Sequence, residues 1–181
     1  MSASTVTLVL TVIGNDRPGL VGELAATIST LGGNWLRSSM AQLAGKFAGI
    51  VEVGVDAARA DELRNALSQL DGLKVTVESA DAKKSAPAGV GNSRRLKLAL
   101  VGHDRIGIVR EVSMVLANHV VNVESLTTHT SSAPMSAAVL FHAVAELTAA
   151  PDLDVGALTG ELERISNDLM VDITLDETIR A

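Results

Sequence analysis

Two short runs in the 181-residue chain carry charged and flexible residues in the same order. Gly14-Asn15-Asp16-Arg17-Pro18-Gly19-Leu20-Val21-Gly22-Glu23 lies over Gly102-His103-Asp104-Arg105-Ile106-Gly107-Ile108-Val109-Arg110-Glu111 at an offset of 88, with six identities in ten positions. Unrelated segments would share roughly one, so the chain contains an internal repeat. An Asp followed by Arg and Gly ahead of an apolar helix can cap the helix or its turn. The arginines are solvated, or pair with Glu23 and Glu111 further along the same face. Asn34 and Asn122, also 88 apart, can be left-handed residues that close a helix.

Other chemistry finds little support. The absence of cysteine excludes thiol catalysis, disulfides, iron–sulfur clusters and cysteine zinc sites. No G-x-S-x-G, P-loop or H-E-x-x-H occurs. Ser38-Ser39 and Thr127-Thr128 have no base within reach, and a catalytic set would rarely be copied in both halves. The chain therefore reads as a non-enzyme. His103, His119, His129 and His142 fall on a turn, a helix end and two strands, with no carboxylate at ligand spacing. His119 occupies the core position that Leu31 holds in the first repeat. We expect no metal and no cofactor.

The elements that position these residues follow from periodicity. Residues 6–13 alternate, with Val6, Leu8, Leu10 and Val12 on one face, as in a strand. A helix then starts at Pro18, with Val21, Leu24, Ile28 and Leu31 inward, and Gly32-Gly33-Asn34 ends it. Residues 35–43 and 47–55 form two strands around an Ala44-Gly45-Lys46 hairpin. Residues 57–70 form a helix with Leu63, Ala66, Leu67 and Leu70 inward, and 73–77 a fourth strand. Trp35, on an expected edge strand, is core or an interface anchor, and the edge position favours the interface.

The second half repeats the order: strand 95–101, helix 106–120, strands near 122–130 and 135–147, helix 154–167, strand 169–175. At a constant offset Phe47 falls on Met135, and about eight extra residues fall around Ala145 to Leu153. Both halves are thus β-α-β-β-α-β, an α+β ferredoxin-like arrangement with two helices on one face of a four-stranded antiparallel sheet. The expected organisation is a domain over 1–79, a linker of small, polar and Gly/Pro residues over 80–93, and a second domain over 94–181.

Charge narrows the partners. The net charge is −6, divided −2, +1 and −5 among these three segments. Basic residues are scattered, and Trp35, Phe47 and Phe141 are the whole aromatic complement. Both facts argue against direct nucleic-acid binding, which needs clustered cations or stacking rings. No apolar run approaches the ~20 residues of a membrane span. The N-terminus has no basic region ahead of its apolar stretch, so a cytoplasmic location is expected.

The D-R-P-G turn inside this β-α-β-β-α-β pattern, followed by Gly33-Asn34 entering a strand, resembles the ACT domain. Two copies filling one chain resemble the glycine cleavage system transcriptional repressor group. The resemblance implies a regulatory protein that binds a small amino acid, glycine foremost, at the interface between ACT copies. It also implies a homodimer that acts through a protein partner such as a LysR-type regulator. By the same resemblance the ligand-binding residues are Asp16, Gly19, Leu20 and Asn34, with Asp104, Gly107, Ile108 and Asn122 in the second copy. Backbone N–H groups beside Gly19 and Leu20 suit a carboxylate, Asp16 an ammonium, and Asn34 both donors and acceptors. Where some family members carry a His two residues before the motif's acid, this chain has Gly14 and Gly102, and Ile106 replaces Pro18. A ligand-free ACT scaffold for dimerisation is the alternative.

Overall fold

The computed structural model describes residues 4–80, 93–133 and 138–177. The chain divides into two compact units, Met1–Ala86 and Pro87–Ala181. Most of the expected linker (81–92), Met135 and the first residues of the expected strand 135–147 lie outside the described residues.

The first unit comprises β1 (Thr5–Asn15), α1 (Leu20–Thr30), β2 (Asn34–Leu43), β3 (Lys46–Asp56), a 3-10 turn at Ala57–Arg59, α2 (Ala60–Ser68) and β4 (Leu73–Ser79). The second comprises β5 (Arg94–His103), α3 (Ile108–Asn118), β6 (Asn122–Ser132), β7 (Val139–Ala149), α4 (Val155–Leu169) and β8 (Val171–Glu177). Sheet orders are β2-β3-β1-β4 and β6-β7-β5-β8, antiparallel throughout. This is the α+β, ferredoxin-like architecture, twice.

Alternation builds each core. Leu8, Leu10 and Val12 of β1 face inward beside Val51, Val53 and Val55 of β3, all buried. Leu20, Leu24 and Ile28 of α1, with Leu63 and Leu67 of α2, cover them. Each such side chain contributes about 1.5–3 kcal/mol on burial. In the second unit Leu96, Leu98 and Leu100 take the β1 role, beneath Ile108, Val112 and Leu116 of α3 and Leu158 and Leu162 of α4.

Several expectations are corrected. The first helix begins at Leu20, not Pro18, because Gly19 adopts φ 92 and turns the chain just before it. Its inward stripe therefore starts at Leu20, and Val21 is 46 % exposed. Helix α3 does the same after Gly107 at φ 102, leaving Val109 exposed. Asn34 and Asn122 are not left-handed: each opens a strand, and the left-handed residues are Gly32 and its equivalent Val120. Trp35 is half-buried and packs against the core of its own unit, the first of the two roles expected for it. His119, at the end of α3, does not simply pack as Leu31 does, because its Nε2 lies 3.4 Å from Glu161 Oε2.

Strand register also relocates the extra residues. Gly14 pairs with Phe47 and Gly102 with Phe141. The glycines are 88 apart and the phenylalanines 94 apart, so six residues enter the β6–β7 connection, and Phe47 corresponds to Phe141 rather than Met135. Gly14 pairs with Leu73 and Gly102 with Val171, 98 apart. Four more residues thus accumulate between β7 and β8, where α4 has 15 residues and α2 has nine. A hairpin insertion hides from a constant offset because the preceding elements still align.

Val120 has φ 55 and is 83 % exposed, so it gains little from burial. A left-handed L-residue costs about 1–2 kcal/mol, against roughly 0.5–1 kcal/mol of extra backbone entropy lost by a glycine. Val120→Gly is expected to stabilise the protein by about 0.5–1 kcal/mol, read as a higher urea midpoint at unchanged m-value. A lower midpoint would show that Val120 makes contacts worth more than its strained backbone.

Candidate functional site

Strand β1 delivers the chain to a turn that the β2–β3 hairpin braces. Ala44 and Gly45 both have positive φ, the signature of a tight two-residue hairpin turn. The Asp16 N–H donates to the Gly45 carbonyl at 2.9 Å. Gly19 then sets the helix start without any side-chain cap, so Asp16 does not cap α1. The first bond back into the turn runs from the Glu23 N–H to the Gly19 carbonyl at 2.9 Å. The N–H groups of Leu20, Val21 and Gly22 precede it and lack helical acceptors, as the first turn of any helix does.

These residues border a concavity of about 180 Å³, lined by Asp16, Arg17, Gly19, Leu20, Val21, Gly22 and Phe47. Arg17 is already engaged: Nη1 and Nη2 donate to Glu23 Oε1 and Oε2 at 2.6 and 2.7 Å. Asp16 is exposed, and among the described residues its carboxylate carries no recorded partner. The concavity thus combines unpaired backbone donors with one unpaired carboxylate.

The second copy repeats this plan more loosely. Gly107 is left-handed, the Glu111 N–H donates to its carbonyl at 2.9 Å, and the Asp104 N–H donates to the Val139 carbonyl at 2.9 Å. Arg105 Nη2 stands 3.6 Å from Glu111 Oε2. Ile106, in the place of Pro18, is fully exposed.

Asp16, Gly19 and Leu20 come together at one end of the sheet, as do Asp104, Gly107 and Ile108. The asparagines do not join them. Asn34 pairs with Gly54 on β3, whereas Asn15, beside Asp16, pairs with Lys46. Eight residues of strand, about 27 Å, separate the two ends. Asn122 pairs with Thr148, nine residues along β7 from the Val139 that bonds Asp104.

Two features escaped the sequence reading. Phe47 reaches the concavity because it pairs with Gly14, and the hairpin register was its only signal. Gly14 and Gly102 have a steric reason. A Cβ at Gly14 would collide with the Gly72 carbonyl oxygen, and one at Gly102 with the Val171 side chain. A histidine is therefore barred from both positions by the neighbouring strand start.

Two split-βαβ modules, each opening its first helix through a left-handed glycine, define a duplicated ferredoxin-like protein. Residues 6–78 match the family model of the ACT domain. The chain belongs to the ACT-domain family, and its second half repeats the motif and topology of the matched half. An unknown protein from Galdieria sulphuraria is 30 % identical, with a TM-score of 0.87, over 97 % of this chain and 100 % of that one. A protein provisionally assigned as a glycine cleavage system transcriptional repressor is 18 % identical, with a TM-score of 0.68, over 97 % and 99 % of the two chains. The second likeness is one of fold. A formyltetrahydrofolate deformylase from Burkholderia mallei is 26 % identical, with a TM-score of 0.39, over 46 % of this chain and 28 % of that enzyme. No curated protein matches the sequence. Among the described residues, no helix is long and apolar enough to cross a membrane.

The Arg17 guanidinium, through its hydrogen bonds, holds the Glu23 carboxyl below its ordinary 4.5, and Glu23 raises Arg17 in return. A carboxyl depressed in the folded state stabilises fully above its unfolded value and loses that contribution as pH falls through the folded one. Titration followed by NMR should place Glu23 below 4.5, and Glu23→Gln should remove this part of the acid sensitivity. Both side chains are more than 40 % exposed, so the effect should shrink in molar salt. A Glu23 midpoint at or above 4.5 would mean that the pair does not form in solution.

Proposed function

We propose that this chain is a regulatory amino-acid sensor whose tandem ACT domains modulate transcription of amino-acid metabolism genes through a protein partner. The Asp16–Gly19 concavity carries the proposal. Its free N–H groups and the positive end of α1 suit a carboxylate, Gly19 lets the backbone approach closely, and the Asp16 carboxylate suits an ammonium. Those are the two charges of a free amino acid, and about 180 Å³ suits a small one such as glycine.

The separation of Asp16 from Asn34 fits a site completed by a second molecule. Among the described residues of its own unit, β2 pairs with β3 alone and is an edge strand of the sheet. Antiparallel pairing of that edge with its equivalent in a homodimer would carry Asn34 of one molecule to the Asp16 turn of the other. The same pairing through β6 would carry Asn122 to the Asp104 turn, beside Gly107 and Ile108. Ligand occupancy would then shift the pairing, and a partner would read the shift.

The net charge of −6 and the scattered basic residues support indirect action on genes. A LysR-type activator is the partner class we favour. Support for this transcriptional role is the family membership and the fold shared with the provisionally assigned repressor. The edge positions of β2 and β6 in their own sheets equally favour the second reading, a ligand-free scaffold for dimerisation.

Calorimetry of the full chain against the twenty amino acids separates the two readings. Saturable binding is expected for a small amino acid, weakened at least tenfold by Asp16→Ala or Asn34→Ala. A hydrogen bond to a charged group is worth about 1.5–3 kcal/mol, and 1.4 kcal/mol is a decade of affinity. Silence across the panel, with a dimer still present by sedimentation, would leave the scaffold.

A further inference from the structure

Three of the four histidines lie on the outer face of the second sheet, and register rather than sequence spacing brings two of them together. His129 on β6 and His142 on β7 are direct cross-strand partners. Their rings stack with centroids 4.6 Å apart and planes 2° from parallel. Ser131 Oγ, two residues along β6 on the same face, lies 2.7 Å from His142 Nε2. Nearby on that face are Val101, opposite His142, then Asp172 beyond it on β8, and His103 opposite Leu140.

We propose that His129 and His142 form a chelating pair for a borderline divalent metal ion of the Zn²⁺, Ni²⁺ or Cu²⁺ class. Neutral imidazole is a preferred donor for these ions. Bond lengths of about 2.0–2.1 Å require the two donor nitrogens to approach to about 3.4 Å. Direct partners across an antiparallel pair have Cβ atoms roughly 4.5–5.5 Å apart, so side-chain rotation alone can converge the donors. The backbone ladder is the preorganising element. When His142 Nε2–H donates to Ser131, Nδ1 keeps its lone pair for the ion, and the hydroxyl acts as a positioning group. Among the described residues no three histidine or carboxylate side chains converge as a metal cluster. In the proposal, water completes the coordination. His129 is exposed and His142 half-exposed, on the outer face of the sheet three residues along β7 from the Val139 that bonds Asp104.

The test is calorimetric titration of Zn²⁺ and Ni²⁺ into the full chain, free of any affinity tag. The expected result is one ion per chain, with at least tenfold weakening in His129→Asn or His142→Asn and a smaller loss in Ser131→Ala. His119→Asn, at the end of α3, should bind as the parent does. Circular dichroism of each variant separates lost binding from lost fold, and zinc should raise the melting temperature of the parent but not of the double variant. Absence of binding tighter than about 1 mM, or binding retained by the double variant, would overturn the proposal.

Discussion

The structure turns on one backbone constraint, the left-handed glycine between the first strand and the first helix of each unit. Gly19 at φ 92 and Gly107 at φ 102 redirect the chain at the sheet's end. That conformation costs an L-residue about 1–2 kcal/mol in steric strain, which glycine, lacking a Cβ, avoids. It fixes which residue enters the helix first, and so which stripe faces the sheet. With Leu20 first, Leu20, Leu24 and Ile28 lie over Leu8, Leu10 and Val12. The same turn leaves the first N–H groups of the helix without a side-chain cap. Core packing and the uncapped helix start therefore share one cause.

The two units meet this constraint with different side chains, and the differences are physical. In the first, Trp35 packs on the core at the start of β2. In the second, Val123 takes its place, opposite Leu147 where Trp35 is opposite Val53. A small apolar cavity of about 30 Å³, lined in part by Leu116, Val123, Leu126 and Phe141, lies there. Arg94, at the start of β5, bonds both oxygens of Glu177 on β8 at 2.9 and 3.0 Å and the Leu153 carbonyl at 3.1 Å. Its equivalent in the first unit, 88 residues earlier, is Val6. The first unit bonds the corresponding end of β4 from a different element, Arg64 of α2, which donates to the Val77 carbonyl at 3.1 Å and to Ser79 Oγ at 2.7 Å.

What the sequence disclosed was whatever depends on local period and on gapless repetition. Alternation in 6–13, helical spacing in 57–70 and the repeated D-R-x-G turn gave the elements, their order and the fold class. What it hid depends on register and dihedral angle. Proline at position 18 looked like a helix start because its φ suits one, but Gly19 moves the start two residues on. The six-residue insertion in the β6–β7 hairpin displaced every later equivalence, so Phe141 was not matched to Phe47. The stacking of His129 on His142 was invisible for the same reason. Asn34 looked like a helix terminator because Gly32-Gly33 precede it, yet Gly32 alone carries the left-handed angle.

If the turn binds the proposed ligand, the ion pair beside it limits what kind of charge it would take. Arg17 would be the obvious anion receptor, but both of its terminal nitrogens are spent on Glu23. What remains is the partial positive charge of the helix end, roughly half an elementary charge, beside the full negative charge of Asp16. A phosphate or a dicarboxylate would bring excess negative charge to Asp16 and find no free guanidinium. A simple amine would satisfy Asp16 and leave the N–H groups unused. A zwitterion with its two charges one carbon apart matches both halves, and the short reach of the site favours a small side chain. On the proposed reading, discrimination would come as much from the guanidinium that Glu23 withdraws as from the groups left facing the ligand.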